Sequence, residues 1–141
     1  MNRNIVLDTN CLLQIIAKRS KNYFLWEGFL EGKYCLCYTT DILEEYEEIL
    51  GLKSNPIIAS MVIEIIKRAP NSIAVDAHFH WNLITRDPDD NKFVDCAIVA
   101  NADFIVSEDK HFKELEKVSF PRVVVISLDD FANVFKNLSA N

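Results

Sequence analysis

The sequence predicts an α/β fold in which helices cover both faces of a central, mainly parallel sheet. Short β-branched apolar runs alternate along the chain with longer segments whose apolar residues recur at helical spacing. Half of the residues are hydrophobic, which is enough for a core on both faces of a sheet. The chain has 141 residues and neither a linker nor a repeat, so we expect one domain over residues 1–141.

The strands are predicted from short apolar runs that are bounded by polar or turn residues. The first run, Ile5-Val6-Leu7, ends at Asp8 and indicates a buried strand. Residues 72–84 are less regular, and we expect short extended pieces there. The clearest predicted strands are residues 4–8, 34–38, 104–106 and 122–126.

The helices are predicted from apolar periodicity and from the residues that begin or end a helix. Pro56 is expected in the first turn of one helix, and Gly32 and Gly51 are expected to end two others. Pro88, with its Asp and Asn neighbours, indicates a loop at residues 86–91. The predicted helices are residues 11–16, 23–30, a helix capped within 39–41 that runs through 50, then 57–68, 91–100, a short helix at 110–116, and 128–135.

Bulk properties restrict the class of protein. No apolar run approaches the ~20 residues that span a bilayer, and no signal peptide is evident, so we expect a cytoplasmic protein without a membrane partner. The four cysteines form no C-x-x-C pair and are expected to stay reduced. The net charge of −6 disfavours simple nucleic-acid binding, unless part of the acidic excess is a carboxylate cluster that cations neutralise.

Carboxylates stand where the predicted elements meet the carboxyl edge of the sheet, which is where ligands bind in open α/β folds. Asp8 ends the first strand, and Asp109 follows the strand at residues 104–106. Glu45 lies in the second turn of the helix after residues 34–38. Asp90 opens the helix after the loop, and Asp95 lies a little over one turn further on. Mg²⁺ takes oxygen ligands and can activate water against a phosphodiester, so the set predicts a divalent-metal site.

The neighbours of each acid help to separate functional from ordinary positions. Glu45 has Ile42 and Ile49 at helical contact spacing, which puts it at the edge of the apolar face, whereas Glu44 has polar neighbours. Each acid also has a structural explanation, since Asp8 can cap a helix and the acids around Pro88 can form turns. The metal-site prediction therefore depends on the whole set of acids.

Four segments in order resemble the acidic motifs of PIN domains. Residues 6–10 resemble the opening motif, residues 42–50 the second acidic helix, and residues 86–97 and 102–109 the third and fourth acidic segments. The resemblance runs from about Val6 to Ile126. It is strongest to PIN proteins of bacterial toxin–antitoxin systems, which are related to VapC-type toxins.

The resemblance implies a Rossmann-like three-layer α/β/α PIN fold and an endoribonuclease that depends on Mg²⁺ or Mn²⁺. The family's acids fall on Asp8, Glu45, Asp90 and Asp109, which are the expected catalytic and metal-binding residues. Asp8, Asp90 and Asp109 would hold the metal directly or through water, and Glu45 would orient a water. The expected supporting residues are Asn10, Asp95 and Ser107.

RNA is expected to approach along a local basic rim, because local charge matters more for steering than net charge. The same side chains can equally be ordinary solvated surface residues. The candidates for RNA contact are Lys18, Arg19, Lys21, Arg86 and Lys110.

The resemblance also implies protein partners, namely a cognate antitoxin and a second copy of the chain. Residues 23–26 and 57–66 are rich in apolar side chains, and any surplus beyond the core could form a homodimer interface. An alternative is a catalytically weak PIN-fold binding module that acts through a protein or RNA partner and binds no divalent metal. A phosphatase of the haloacid dehalogenase type is disfavoured, because Asn10 stands where that class needs an acid.

Overall fold

The sheet contains five parallel strands within residues 3–85 and 87–139, which this computed structural model describes. They are β1 (Asn4–Leu7), β2 (Cys35–Tyr38), β3 (Ser72–Ala74), β4 (Phe104–Val106) and β5 (Val125–Ile126). The strand order is β3-β2-β1-β4-β5, and every pairing is parallel. The chain first adds β2 and β3 on one side of β1 and then adds β4 and β5 on the other side, so the strand order reverses between β1 and β4. That reversal opens a crevice at the carboxyl ends of these two strands.

The helices connect the parallel strands, as the predicted fold requires. They are α1 (Thr9–Ile16), α2 (Tyr23–Leu30), α3 (Thr40–Lys53), α4 (Pro56–Arg68), α5 (Asn91–Ala100) and α6 (Leu128–Ser139). Two 3₁₀ segments, Pro88–Asp90 and Lys110–Lys117, stand where the sequence predicts a loop and a short helix. The predicted α/β/α fold with a mainly parallel sheet is confirmed.

Several predicted boundaries are wrong; α6, for example, was expected to end at Phe135 but continues to Ser139. Gly51 was expected to end a helix, but α3 continues through it to Lys53. The chain turns only at Asn55. The side chain of Asn55 accepts a hydrogen bond from the Ile58 backbone N–H and begins α4. The last strand was expected over residues 122–126, but β5 has only two residues, which pair with Ile105 and Val106 of the short strand β4. Gly32 does follow α2 as predicted, at a positive φ of 76° that suits glycine.

Buried polar side chains fix the elements around the crevice. The hydroxyl of Tyr46 in α3, fully buried, donates a hydrogen bond to the carbonyl of Leu7 at the end of β1. At the start of α5, the buried amide of Asn91 both donates to and accepts from the backbone of Ile84, at 2.8 Å in each case. The first contact fixes α3 against the end of β1, and the second fixes Ile84 against the start of α5.

The core lies on both faces of the sheet. Ile5, Val6 and Leu7 of β1 are almost wholly buried, and all four cysteines are free thiols. Much of the apolar segment at residues 23–26 is core, since Leu25 and Trp26 are buried. No helix in the described part of the chain is long and apolar enough to cross a membrane.

The packing of α2 against α6 leads to a stability prediction. A Cβ added at Gly28 would lie 2.4 Å from Cζ of Phe135, which is itself buried. Gly28→Ala should therefore lower the free energy of unfolding by about 1–3 kcal/mol, because the ring must move within a packed core. Urea denaturation followed by circular dichroism measures this change.

Gly51→Ala is the matched control. Gly51 lies inside α3, and no described atom lies within 4 Å of the added Cβ. This variant should raise the free energy of unfolding by about 0.5–1 kcal/mol, since alanine loses less backbone entropy in a helix. Equal effects of the two substitutions would contradict the described packing of α2 on α6.

Candidate metal centre

Asp8 lies at the point where the strand order reverses, and it is 7% exposed. The hydroxyl of Ser107, which follows β4, donates a hydrogen bond of 2.8 Å to Oδ2 of Asp8. The same hydroxyl accepts a bond of 3.0 Å from the backbone N–H of Asp109. Burial raises the pKa of Asp8, the hydrogen bonds from Ser107 and the Thr9 backbone oppose this, and the charges of Asp109 and Glu45 raise it further. One serine thus joins the carboxyl ends of the two central strands.

A second group of side chains lies beside Asp8 and includes two residues that the sequence analysis did not select. Nδ1 of His111 lies 3.2 Å from Oδ1 of Asp109, 3.5 Å from Oδ2 of Asp90 and 3.8 Å from Oδ2 of Asp87. Asp87, Asp90, Asp109 and His111 each offer one potential ligand atom, and these four atoms all lie within 4.8 Å of one another. The arrangement therefore gathers three carboxylates and one imidazole at a single point.

Asp90 carries the least compensated charge of this group. It is 8% exposed, and its Oδ2 has no hydrogen-bond partner among the residues that the structure describes; the same holds for Nδ1 of His111. Burial raises the pKa of Asp90 to about 7, and the charge of Asp109, a hydrogen bond between the carboxyl groups of Asp90 and Asp109, and the charges of Asp87 and Asp8 raise it as well. A buried, unpaired carboxylate is costly unless a cation or a proton compensates it. The donor set fits a divalent cation.

Glu45 reaches the same region from α3. Its carboxylate accepts a hydrogen bond from the Thr9 hydroxyl and forms an ion pair of 2.6 Å with Lys92 of α5. It also interacts electrostatically with Asp8. The predicted acids Glu45, Asp8, Asp109 and Asp90 therefore form one electrostatically connected series, although the pairing with Lys92 was not foreseen.

The supporting residues differ in what they contact. Ser107 makes the bridge described above, and Asn10 is exposed in the first turn of α1. Asp95 is 3% exposed, accepts a 3.1 Å hydrogen bond from the Trp81 backbone N–H, and lies 3.2 Å from Nδ1 of His80. The Asp95 carboxylate therefore holds His80 and Trp81 against α5. It also lines, with Glu45, a cleft of about 680 Å³.

A second cleft of about 640 Å³ is lined by three basic side chains, by the acids Glu108, Asp109 and Glu116, and by apolar residues that include Phe112 and Leu115. Lys110, a predicted RNA-contacting residue, lines it together with Lys113 and Arg122. The sequence analysis did not select Lys113 or Arg122, because both stand away from the acidic motifs in the chain. Glu108, which also lines this cleft, accepts a hydrogen bond of 2.7 Å from the backbone N–H of Leu128 at the start of α6. A carboxylate is favourable at a helix N-terminus.

The other predicted basic residues occupy the surface after α1. Lys18 and Arg19 are exposed, and Lys21 forms an exposed ion pair of 3.5 Å with Asp129 in the first turn of α6. Since α6 follows β5, Lys21 lies on the carboxyl side of the sheet. Arg86 lies outside the described residues.

Comparisons with known proteins give a family and a fold. A family model described as PIN domain matches residues 4–111. The structure is similar to a chain of VapBC2 from Rickettsia felis bound to a DNA fragment from their promoter, with a TM-score of 0.61, 16% identity, and coverage of 88% of this chain and 98% of that chain. It is also similar to a chain of DNA-bound VapBC from Salmonella typhimurium, with a TM-score of 0.55, 14% identity, and coverage of 91% and 99%. No curated protein matches the chain.

The raised pKa of Asp90 predicts how stability depends on pH in the absence of a divalent ion. The folded state binds the proton of Asp90 more tightly than the unfolded chain, in which the ordinary value is 3.8. The stability that this proton contributes is fully present below the ordinary pKa and is lost as the pH rises through about 7. The groups that face Asp90 are Asp8, Asp87, Asp109 and His111.

Urea denaturation in EDTA at about pH 5 and about pH 8 measures this loss. The wild-type chain should lose more stability between the two values than Asp90→Asn, whose side chain does not titrate. Added Mn²⁺ should restore the stability of the wild type at the higher pH. An equal loss in both proteins would show that Asp90 does not carry the buried charge.

Proposed function

The chain belongs to the PIN domain family, and from this premise we propose that it is an endoribonuclease that uses Mg²⁺ or Mn²⁺ and acts as the toxin of a toxin–antitoxin pair. One observation carries the proposal. Asp8, Asp90 and Asp109 come from three separate segments and interact electrostatically where the strand order reverses. The Oδ2 of Asp90 is buried there without a hydrogen-bond partner among the described residues. Such an arrangement is costly at neutral pH unless a cation or a proton compensates it, and a divalent cation can compensate all three acids at once.

Asp8, Asp90 and Asp109 are the residues that would hold the ion. When bound, a divalent ion supplies the positive charge that activates water and stabilises a phosphate under attack. Ser107 fixes the orientation of Asp8 through its 2.8 Å hydrogen bond, and the backbone N–H of His111 fixes Asp109 through a bond of 2.9 Å to Oδ1. The chain therefore holds its acids in place before an ion or a substrate arrives.

Glu45 is the residue that would orient the attacking water and take its proton. Its two oxygens are held by Thr9 and Lys92, so the carboxylate is fixed beside Asp8. In the proposed hydrolysis, the water oxygen forms a bond to phosphorus while the bond from phosphorus to the 3′ oxygen breaks. The products are a 5′-phosphate and a 3′-hydroxyl.

RNA must reach this site on a chain whose net charge is −6. We place the path of the phosphate backbone along the cleft of Lys110, Lys113 and Arg122, because Asp109 also lines this cleft. Basic side chains raise the local concentration of a polyanion even on an acidic protein. Lys18, Arg19 and Lys21 are a further basic segment that could extend the path on the carboxyl side of the sheet.

Protein partners belong to the same proposal. Two structures with a similar fold are of DNA-bound VapBC, and we extend such a pairing to this chain in the form of a cognate antitoxin. A toxin that cuts cellular RNA acts in the cytoplasm, which is where we place this protein.

A homodimer is also part of the proposal. Ile57, Met61 and Ile65 recur every four residues on one side of α4 and are 74%, 58% and 36% exposed. Leu52, at the end of α3, is 74% exposed. An apolar stripe of this kind is typical of protein interfaces, and a second copy of the chain would cover it.

Substitution of the acids tests the enzyme proposal. Asp8→Asn should abolish cleavage of a defined RNA in Mg²⁺ or Mn²⁺, and Glu45→Gln should slow it by about a hundredfold or more, because a positioned general base contributes on that scale. Both variants should fold, as circular dichroism would verify. EDTA should stop cleavage by the wild type.

Glu47→Gln is the matched control, since Glu47 is an exposed acid on the same helix as Glu45. It should cleave RNA at the wild-type rate. If Asp8→Asn retained that rate in a preparation free of contaminating nuclease, the proposed function would be lost. A wild-type chain that binds no divalent ion at millimolar Mn²⁺ would favour the alternative, a catalytically weak binding module.

A further inference from the structure

We propose that His111 and Asp87 complete the metal centre as ligands, and that the imidazole nitrogen of His111 makes the site prefer first-row transition ions such as Mn²⁺ and Co²⁺ to Mg²⁺. This inference rests on the proposed function, because it concerns the same site. It adds a nitrogen ligand from His111 and an oxygen ligand from Asp87. It also attributes the preference for one ion over another to the nitrogen.

The distances at this point match those between ligands of one ion. A divalent ion about 2.0–2.2 Å from each ligand separates adjacent ligand atoms by about 3 Å and opposite ones by about 4.3 Å. The separations from Nδ1 of His111 to oxygens of Asp109, Asp90 and Asp87 are 3.2, 3.5 and 3.8 Å. Small side-chain movements would bring all four atoms onto a common ion.

The ring of His111 points into the group of carboxylates. Its Nδ1 is buried and has no hydrogen-bond partner within the described part of the chain, although the side chain as a whole is 38% exposed. The companion atom is Oδ2 of Asp90, which is also unpartnered, in a residue that is 8% exposed. Two buried atoms that both offer lone pairs, 3.5 Å apart and each without a hydrogen-bond partner among the described residues, are what a cation site requires.

The backbone holds these ligands in position. The N–H of His111 donates to Oδ1 of Asp109, and the N–H of Asp109 donates to the Ser107 hydroxyl. These two hydrogen bonds fix the conformation of residues 107–111. Asp87 accepts a bond of 3.2 Å from the backbone N–H of Asp89 through Oδ1, which leaves its Oδ2 directed to His111. The ligand atoms are thus presented by two short segments with locally fixed geometry.

The donor chemistry determines the preferred ion. Mg²⁺ strongly favours oxygen ligands and gives up its waters reluctantly, whereas Mn²⁺ and Co²⁺ accept a mixed set of oxygen and imidazole nitrogen. Within that series, affinity for nitrogen rises from Mn²⁺ to Co²⁺. Replacing the nitrogen by an oxygen should therefore weaken Co²⁺ most, Mn²⁺ less and Mg²⁺ least.

Isothermal titration calorimetry with Mg²⁺, Mn²⁺ and Co²⁺ tests this order in the wild type and in His111→Asn, which places an amide oxygen near the nitrogen position. The variant should bind Co²⁺ about tenfold or more weakly, since even indirect partners of ligands contribute that much. Its affinity for Mg²⁺ should stay close to the wild-type value. His78→Asn is the matched control, because His78 is exposed, and it should bind all three ions as the wild type does.

A second measurement needs no substitution. In nuclear magnetic resonance spectra of the wild type titrated with Co²⁺, the ring protons of His111 should show the large shifts of a ligand in direct contact with a paramagnetic ion. Those of His78 should not. If the ring of His111 kept its ordinary resonances at saturating Co²⁺, it would not be a ligand.

These experiments distinguish a failure of this inference from a failure of the proposed function. If His111→Asn bound Co²⁺ as tightly as the wild type while Asp90→Asn lost binding, the inference would be overturned and the proposed function would stand. If the wild type bound none of the three ions, both would fall.

Discussion

The mutual repulsion of buried carboxylates is the constraint on which the rest of this structure depends. Asp8 and Asp90 are 7% and 8% exposed, lie within each other's field, and share Asp109 as a neighbour. Water cannot solvate such charges fully, so a proton or a cation must compensate them. The surrounding framework, including the Ser107 bridge and the Tyr46 contact to Leu7, keeps the acids from moving apart. The fold thereby maintains a site that favours a divalent ion.

Much of the fold and part of the site could be predicted from the sequence. The apolar run before Asp8 and the strand before Asp109 put two acids at the carboxyl edge of a parallel sheet, and the helical spacing around Glu45 distinguished it from Glu44. His111 was missed because its approach to Asp87 and Asp90 joins two segments that are separate in the chain, and no pattern in the sequence indicates such a contact. Lys92 was missed because its pairing with Glu45 joins α3 to α5, elements that are far apart in the chain.

The positions of the acidic and basic side chains explain how a chain with a negative net charge could bind RNA. Asp8, Asp90 and Asp109 interact electrostatically with one another, and Glu45 of α3 interacts with Asp8, while Lys110, Lys113 and Arg122 line a cleft together with Asp109. A bound cation would reduce the repulsion between these acids and an incoming phosphate. Lys110, Lys113 and Arg122 would then direct a polyanion toward the site. Net charge alone therefore says little about the ligand of this fold.

Anomalous diffraction from crystals soaked in Mn²⁺ tests the central claim most directly, because it locates the ion without assuming any activity. A single strong peak bounded by the carboxylates of Asp8, Asp90 and Asp109 is the result that we expect. A map without a peak there at millimolar Mn²⁺, or with the ion bound only at surface carboxylates elsewhere, would show that the convergence of these acids does not create a metal centre.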